Sequence, residues 1–491
     1  MVPLIPAISK VPVWGPNGVN PIKDHPMSNE TVHSVNPYSG EVIQSFRPLS
    51  VEEVAVSAAR AHKAFLAWRK VPVAERCGLL ERASEVLLSR KSELAQTITA
   101  EMGKPITQSL AEIEKCAWVC RYYAGEAPSQ LARTLIETDA DRSYVRYDPL
   151  GTVLAVMPWN YPFWQVFRFA APTLTAGNTA LLKHASNVWL CGEAIESVFR
   201  EAGYPEGVFR HLKIGSDQVE ALLDHPAVKA VSLTGSGGAG SAVARAAGSR
   251  IKKSLLELGG NNALVVFDDA DLDAALETCI QARFQNTGQS CIAGKRLLVH
   301  RKIADGFVAA LVDRVKALKS GDPEDPDTYI GVLAREDLAR DLEAQYQESV
   351  NKGAHTACGG KRDGAFFEPT ILTGVQPGMP AFDQETFGPL LAVTEFDDED
   401  EALDLLGNSQ YGLGVSLFTR DTARAERLVP EIEEGAVFIN ELVKSDPRLP
   451  FGGVKASGYG RELSALGIRE FVNAKTVYIV ASTGSDHPGK D

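Results

Sequence analysis

The sequence has no excess of positive charge. Its 50 lysines and arginines stand against 63 aspartates and glutamates, a formal net charge of −13. Nucleic acid is therefore disfavoured as the main partner, because phosphate backbones are met by a Lys/Arg-rich face. An anionic membrane surface is disfavoured for the same reason. Long apolar runs are also missing, and none approaches the roughly 18 residues of a membrane span. Cysteine is scarce. The seven (Cys77, Cys116, Cys120, Cys191, Cys279, Cys291 and Cys358) are odd in number and show no CxxC spacing. That argues against a disulfide framework and against a zinc site. Cys116 and Cys120, four apart on one helical face, read as core. The histidines show no metal spacing, so no metal is expected. A reducing, cytoplasmic setting fits this usage. Internal repeats and low-complexity blocks are absent as well.

What is present is ordinary globular composition, 44% apolar and 23% charged over 491 residues. At roughly 150 residues per domain, that length predicts about three structural units. The first 29 residues are broken by prolines and read as an extended tail, and the polar STGSDHPGKD at the other end reads the same way. Pro37 to Gly40 mark a turn between two strand-like runs. Ser50 with Glu53 forms a capping box ahead of Val54, Ala58, Ala61, Phe65 and Trp68 at helical spacing. Further helices are expected over 75–102 and 107–123. Short apolar strands then alternate with helices: TVLAVM, TALLKH, VFRHLKI, AVSLTG and ALVVFD. That rhythm predicts an α/β fold with parallel sheets and crossover helices. A second alternating region after Cys291 predicts two such lobes with a cleft between them, where ligands bind at strand C-termini.

Three side chains stand out chemically. Cys291 lies in FQNTGQSCIAGKR, among turn-forming and polar neighbours. A thiolate is a strong nucleophile, although a cysteine met alone is more often a small core residue. Glu257, in LLELGG, has an apolar flank that could desolvate it toward general-base range; the plainer reading is a solvated strand-end glutamate. Asn160, in PWNYP, follows a buried-looking strand and could donate to a developing oxyanion, or could merely shape a turn. The Gly-rich LTGSGGAG lies between a strand and a helix and could face a pyrophosphate. The usual G-x-G-x-x-G fingerprint is absent.

Seven segments occur together in order: PWNYPFWQ, GNTALLKHAS, TGSGGAG, LELGGNNALVV, FQNTGQSC, ETFGP and PFGGVKASGYGRE. In this the chain resembles the aldehyde dehydrogenase superfamily from about residue 33 to 480. Within it, the succinate-semialdehyde dehydrogenases are most similar. The resemblance implies that Cys291 attacks an aldehyde carbonyl while the Asn160 amide and the Cys291 N–H hold the oxyanion. It implies that Glu257 activates the water that hydrolyses the resulting thioester, with water rather than coenzyme A as acceptor. For the cofactor it implies Gly235, Ser236 and Gly240 near the pyrophosphate with Trp159 beside it. Glu385 falls on the nicotinamide ribose, Phe387 by the ring, and Lys183 on the adenine ribose. Ser186 stands where NAD-preferring relatives often carry Glu, which favours NADP over NAD. For the substrate, Arg168 falls where the succinate-semialdehyde group places a tunnel arginine, with Trp164 lining the tunnel and Ser445 helping to hold a carboxylate. A buried guanidinium needs an anion, which the substrate or a structural ion pair could supply. Gln285 stands where many members have a second Arg, and Ala293 where some relatives have a redox-switch cysteine.

The expected architecture follows: a tail over 1–29; a variant Rossmann cofactor lobe over 30–126 and 149–257; a catalytic lobe over 258–455; and an oligomerisation flap of strands, 127–148 with 456–491. An exposed strand edge of that kind invites pairing with another subunit, so a homodimer or homotetramer is expected. The favoured function is oxidation of succinic semialdehyde to succinate. The alternatives are a broader oxidase of ω-carboxy or medium-chain aldehydes and a non-catalytic binding or structural protein on the same fold.

Overall fold

The computed structural model describes residues 31–481. The expected N-terminal tail and the polar C-terminal end lie outside the described residues. The capping box forms as expected. Glu53 N–H donates to Ser50 Oγ at 3.3 Å, and Ser50 N–H donates to Glu53 Oε2 at 2.8 Å. The helix it starts, Val51–Trp68, buries Val54, Ala58, Ala61, Phe65 and Trp68, so the apolar spacing maps onto the inward face. The stretch expected as one helix over 75–102 is two, Val73–Ser89 and Lys91–Met102. They break at Arg90, whose φ of −103° and ψ of 14° leave the helical ladder. Apolar periodicity continues through such a kink, so spacing alone does not reveal it. The next helix, Ile106–Gln130, is longer than expected and takes residues 127–130 that had been counted with the strands of the flap.

Two sheets organise the chain. The first runs, edge to edge, Gly458–Tyr459, Lys253–Glu257, Val228–Thr234, Thr152–Met157, Thr179–His184 and Phe209–Leu212. All neighbours are parallel except the first pair. Strand Thr152–Met157 sits centrally. The chain goes from it to one side (179–212) and then returns to the other (228–257), which creates a topological switch point at its C-terminal end. The second sheet runs His355–Cys358, Thr370–Thr373, Leu390–Phe396, Gly294–His300, Asn262–Val266, Val415–Phe418 and Val437–Ile439, and only its first strand is antiparallel. Both sheets are covered on both faces by apolar clusters. Strand Thr179–His184 is accordingly buried at every position, as a two-sided parallel strand must be. Each fully buried Leu or Val contributes about 1.5–3 kcal/mol.

A third, three-stranded antiparallel sheet joins Thr134–Ile136, Arg142–Pro149 and Val472–Ile479. Residues 456–468, grouped by the sequence with this flap, go elsewhere. Gly458–Tyr459 pairs with Leu256 and Glu257 of the first sheet, and Ser464–Ile468 forms a short helix against Ile106–Gln130 and Trp164–Thr175. Composition at a chain end does not say which edge a strand will join.

Candidate active site

Parallel pairing puts the C-terminal ends of the first sheet's strands along one edge. That edge carries Trp159 and Asn160 after one strand, Lys183 and Ser186 around the end of the next, Gly235 and Ser236 after the third, and Glu257 at the end of the fourth. The chain then crosses at Gly259–Gly260 into the second sheet. Cys291 lies on the loop that enters the neighbouring strand there, Gly294–His300. A Cβ on Gly260 would stand 2.5 Å from the Cys291 carbonyl oxygen. The acid and the thiol, 34 positions apart in sequence, therefore come from the C-terminal end of a strand in the first sheet and the loop that leads into a strand of the second.

The loop before Cys291 is held in an unusual shape. Asn286, Thr287 and Gly288 all take left-handed backbone angles, φ 57°, 54° and 70°. A β-branched residue there is strained, so the surroundings must impose the conformation. Gln108 Oε1 accepts from Asn286 N–H at 2.6 Å, and Thr287 Oγ1 accepts from Gly331 N–H at 3.1 Å. Gly288 tolerates no side chain, because a Cβ would lie 2.3 Å from Gly388 O. On the far side of Cys291, Lys295 Nζ donates to the carbonyls of Ser290 at 2.8 Å and Cys291 at 2.7 Å. Among the described residues nothing accepts a hydrogen bond from the Cys291 N–H. Burial pushes the Cys291 thiol up to about 11, with Lys295 and Arg168 opposing. The group therefore rests as a thiol at neutral pH.

Asn160 is buried and belongs to this loop. Its Nδ2 donates to Gln289 O at 3.0 Å and its Oδ1 accepts from Gln165 Nε2 at 2.9 Å. Asn286 Nδ2 in turn donates to Asn160 O at 2.9 Å. An amide nitrogen carries two N–H donors, so one is spent on orientation and one is left.

Glu257 is 1% exposed, and among the described residues neither of its oxygens has a hydrogen-bond partner. Burial raises its carboxyl well above the ordinary range; Arg168 pulls the other way and Glu462 adds to the rise. Glu462 is likewise buried, raised by burial and lowered by Arg168. Arg168 itself forms an ion pair through Nε with Glu462. Its Nη2 donates to Thr234 Oγ1 at 3.2 Å, and its guanidinium lies 4.6 Å from the Phe451 ring centroid. The anion that a buried guanidinium requires is thus supplied by the protein. That removes the premise that a substrate carboxylate must supply it. Glu462 ends the GYGRE segment, and nothing in its spacing marked it.

The cofactor candidates cluster at the switch point. Trp159 meets Phe387 edge-on, ring centroids 5.7 Å apart at 85°. Ser236 caps helix Gly237–Gly248, accepting from Ala239 N–H at 3.3 Å. Cβ atoms on Gly237 and Gly238 would meet nothing within 4 Å, so the first turn of that helix is open, whereas Gly240 is packed on Leu258. One Glu385 oxygen accepts from Gly260 N–H at 3.0 Å and lies 3.2 Å from Lys295 Nζ. Lys183 is buried at the second-last position of its strand, and Ser186 opens a short 3₁₀ turn just beyond it. An open helix N-terminus at a switch point, flanked by an aromatic pair, fits a dinucleotide.

Trp164 and Ser445 do meet: Trp164 Nε1 donates to Ser445 Oγ at 3.0 Å. Trp164 opens helix Trp164–Thr175, which also carries Arg168. The start of that helix is fixed by Glu112, whose Oε1 accepts from the N–H groups of Phe163 at 2.8 Å and Trp164 at 2.9 Å. Its other oxygen pairs with buried Lys104. One turn beyond Glu112 on helix Ile106–Gln130, Lys115 reaches the Ser445 hydroxyl at 2.9 Å and lies 4.4 Å from the Trp164 ring centroid. Neither Glu112 nor Lys115 belongs to a segment that carried the resemblance, so the sequence left both unassigned. Gln285, half-buried, starts the strained loop.

With a cysteine loop, an oriented amide and a desolvated carboxylate where the chain passes from strand ends of one sheet into the other, the arrangement suits covalent oxidation of a carbonyl compound. The chain belongs to the aldehyde dehydrogenase family, whose profile matches residues 25–477, and it is an NAD(P)-dependent oxidoreductase acting on aldehydes. It is 47% identical to a probable succinate-semialdehyde dehydrogenase [NADP(+)] of Synechocystis sp., over 91% of this chain and 99% of that one. It is 44% identical to succinate-semialdehyde dehydrogenase [NADP(+)] 1 of Mycobacterium tuberculosis, with the same coverage. Among solved structures, succinic semialdehyde dehydrogenase from Streptococcus pyogenes in complex with NADP+ superposes with a TM-score of 0.90. It is 36% identical, over 92% of this chain and 100% of that one. No described helix is long and apolar enough to cross a membrane.

Proposed function

We propose that this enzyme oxidises succinic semialdehyde to succinate and uses NADP in preference to NAD. Cys291 loses its thiol proton to solvent and attacks the aldehyde carbon as the thiolate, the carbonyl π pair moving onto oxygen. The free Asn160 N–H and the Cys291 N–H hold the oxyanion; a nicotinamide cofactor, held by Trp159, Lys183, Ser186, Gly235, Ser236, Gly240, Glu385 and Phe387, would supply the hydride acceptor. Glu257, lacking a hydrogen-bond partner and desolvated, takes a proton from the water that hydrolyses the thioester. Splitting the oxidation in this way lowers each barrier. The observation that supports the reading is the close approach of Gly260, three residues after Glu257, to the Cys291 carbonyl, with the Glu257 carboxyl near enough to act on the thiol's titration. The substrate and the cofactor preference are supported by the names of the relatives above. A serine at 186 leaves room for a 2′-phosphate that a glutamate would repel.

The lobe assignment goes with this reading: 30–126 and 149–257 for the cofactor, 258–455 for catalysis. The small sheet at 134–149 and 472–479 would join subunits into a dimer or tetramer, because its edge strand exposes Leu135 and Ile136. A cytoplasmic setting accords with seven free cysteines. The test is kcat/KM for succinic semialdehyde and for butanal, each with NADP and NAD. The carboxylated aldehyde with NADP should lead by at least about 10-fold, the worth of one charge-assisted contact. Equal values for the two aldehydes would leave only a broad aldehyde oxidase.

A further inference from the structure

We propose that His184 is a positioning residue for Asn160: its imidazole ties down the far end of the loop that presents the Asn160 amide to the oxyanion. This deepens the function proposed above and rests on the oxyanion role given there to Asn160. The loop, residues 158–162, leaves the central strand Thr152–Met157 and ends just before helix Trp164–Thr175. Strand Thr179–His184 runs parallel to the central strand, with His184 opposite Met157. Two consecutive residues at the end of that neighbour hold the two ends of the loop. Ala185 N–H donates to Met157 O at 3.0 Å, just before the loop. His184 Nε2 lies 2.9 Å from Pro162 O, at the loop's last residue. Trp159 and Asn160 lie between the two anchors.

The partners fix where the ring proton sits. A carbonyl oxygen only accepts, so Nε2 carries the hydrogen that goes to Pro162. Nδ1 is then an acceptor, and Ala185 N–H donates to it at 3.1 Å. The other neutral tautomer would offer a donor to Met157 O at 3.2 Å, but it would set the Nε2 lone pair against Pro162 O. The fully buried ring stays neutral: burial lowers it to about 4, and Lys183 adds to the fall. Glu112 holds the same corner from the other side, through the N–H groups of Phe163 and Trp164. A carboxylate cannot hold a carbonyl, so the Pro162 oxygen is left to His184. The helix beyond carries Gln165, whose Nε2 donates to Asn160 Oδ1 at 2.9 Å. The anchor at Pro162 therefore sets both the backbone of Asn160 and the side chain that turns its amide.

The test uses the full-length enzyme with NADP and succinic semialdehyde, and follows the single-turnover rate of cofactor reduction by stopped-flow absorbance. H184L removes the donor and should slow that rate about 10- to 100-fold, as a misplacement of about 1 Å near the reacting atoms does. H184Q, whose amide N–H reaches toward the Nε2 position, should recover most of the loss. H184N, with a shorter reach, should not. The loss should also run through Asn160. N160A alone should cost about 100- to 1,000-fold, the worth of one oxyanion donor. Adding H184L to N160A should then cost less than about 2-fold more, because the two side chains act as one unit. A histidine that merely supports the fold would lower both backgrounds by the same factor, and that result overturns the proposal. So does H184L at the parent rate, or an equal loss in H184Q and H184N. N160A at the parent rate sinks the oxyanion role itself, and with it the mechanism proposed above. Thermal unfolding checks that each variant is folded; if H184L does not fold, H184N carries the same comparison in both backgrounds.

Discussion

Two buried glutamates, in two regions of the molecule, show what separates holding a fold from doing chemistry. Glu112, on helix Ile106–Gln130, is fully engaged. It accepts two backbone N–H groups at the start of the next helix and pairs with Lys104. Glu257, at the end of strand Lys253–Glu257, is as deeply buried, yet no described residue donates to either of its oxygens. Buried polar groups are nearly always satisfied, and an orphaned one costs stability. The first acid is spent on geometry, setting the helix that presents Trp164 and Arg168. The second has its carboxyl raised toward neutrality by desolvation, so that its ionised form is a stronger base than an exposed carboxylate, as the role proposed for it requires. Two acids of the same type and similar burial have opposite bonding, and the bonding tells their roles apart.

The largest expected effect separates the thiol from the reserved acid. Cys291→Ala should abolish turnover, by at least about 10,000-fold, and with it any burst of reduced cofactor. Glu257→Gln should slow steady-state turnover by about 100- to 10,000-fold while keeping a burst near one equivalent per site, seen by stopped-flow absorbance. Loss of the burst in Glu257→Gln would mean that the acid is needed before the thioester forms. For the fold the order reverses. Glu112→Gln leaves a buried Lys104 without its partner and should cost about 3–5 kcal/mol in chemical denaturation. Glu257→Gln replaces one neutral group with another and should cost less than about 1 kcal/mol. Equal losses would erase the distinction between the two acids. The smallest effect comes from an acid introduced just beyond the strand that carries Lys183. Ser186→Glu should shift the NADP/NAD ratio of kcat/KM toward NAD by about 10-fold, through repulsion of a 2′-phosphate. An unchanged ratio would remove Ser186 from the account of cofactor choice.

Much of this was legible beforehand where local rules act. The helix face of Val54, Ala58, Ala61, Phe65 and Trp68 follows from spacing. The parallel sheets follow from strands that alternate with helices. The grouping of Cys291, Glu257 and Asn160 followed from motifs in order. What escaped was set by long-range partners. Arg168 carried the expectation of a substrate anion, and Glu462, 294 positions later, occupies it. Residues 456–468 were counted with the flap, yet one short strand takes them to the open edge beside Glu257. The polar neighbours of Cys291 in sequence set it apart from a core cysteine, whereas burial in the fold raises its thiol to about 11.

The order of amino acids by itself determined the class of fold, the helical faces and the identity of the chemical groups, because these depend on neighbours within a few positions. Only the tertiary structure decided which charges are already matched. Desolvation and pairing depend on every group within a few ångströms, and here those groups come from a helix near residue 112, a strand end at 257, a loop at 445 and a turn at 462. That is why Arg168, conspicuous in the sequence, has a partner 294 positions away that no local rule reveals.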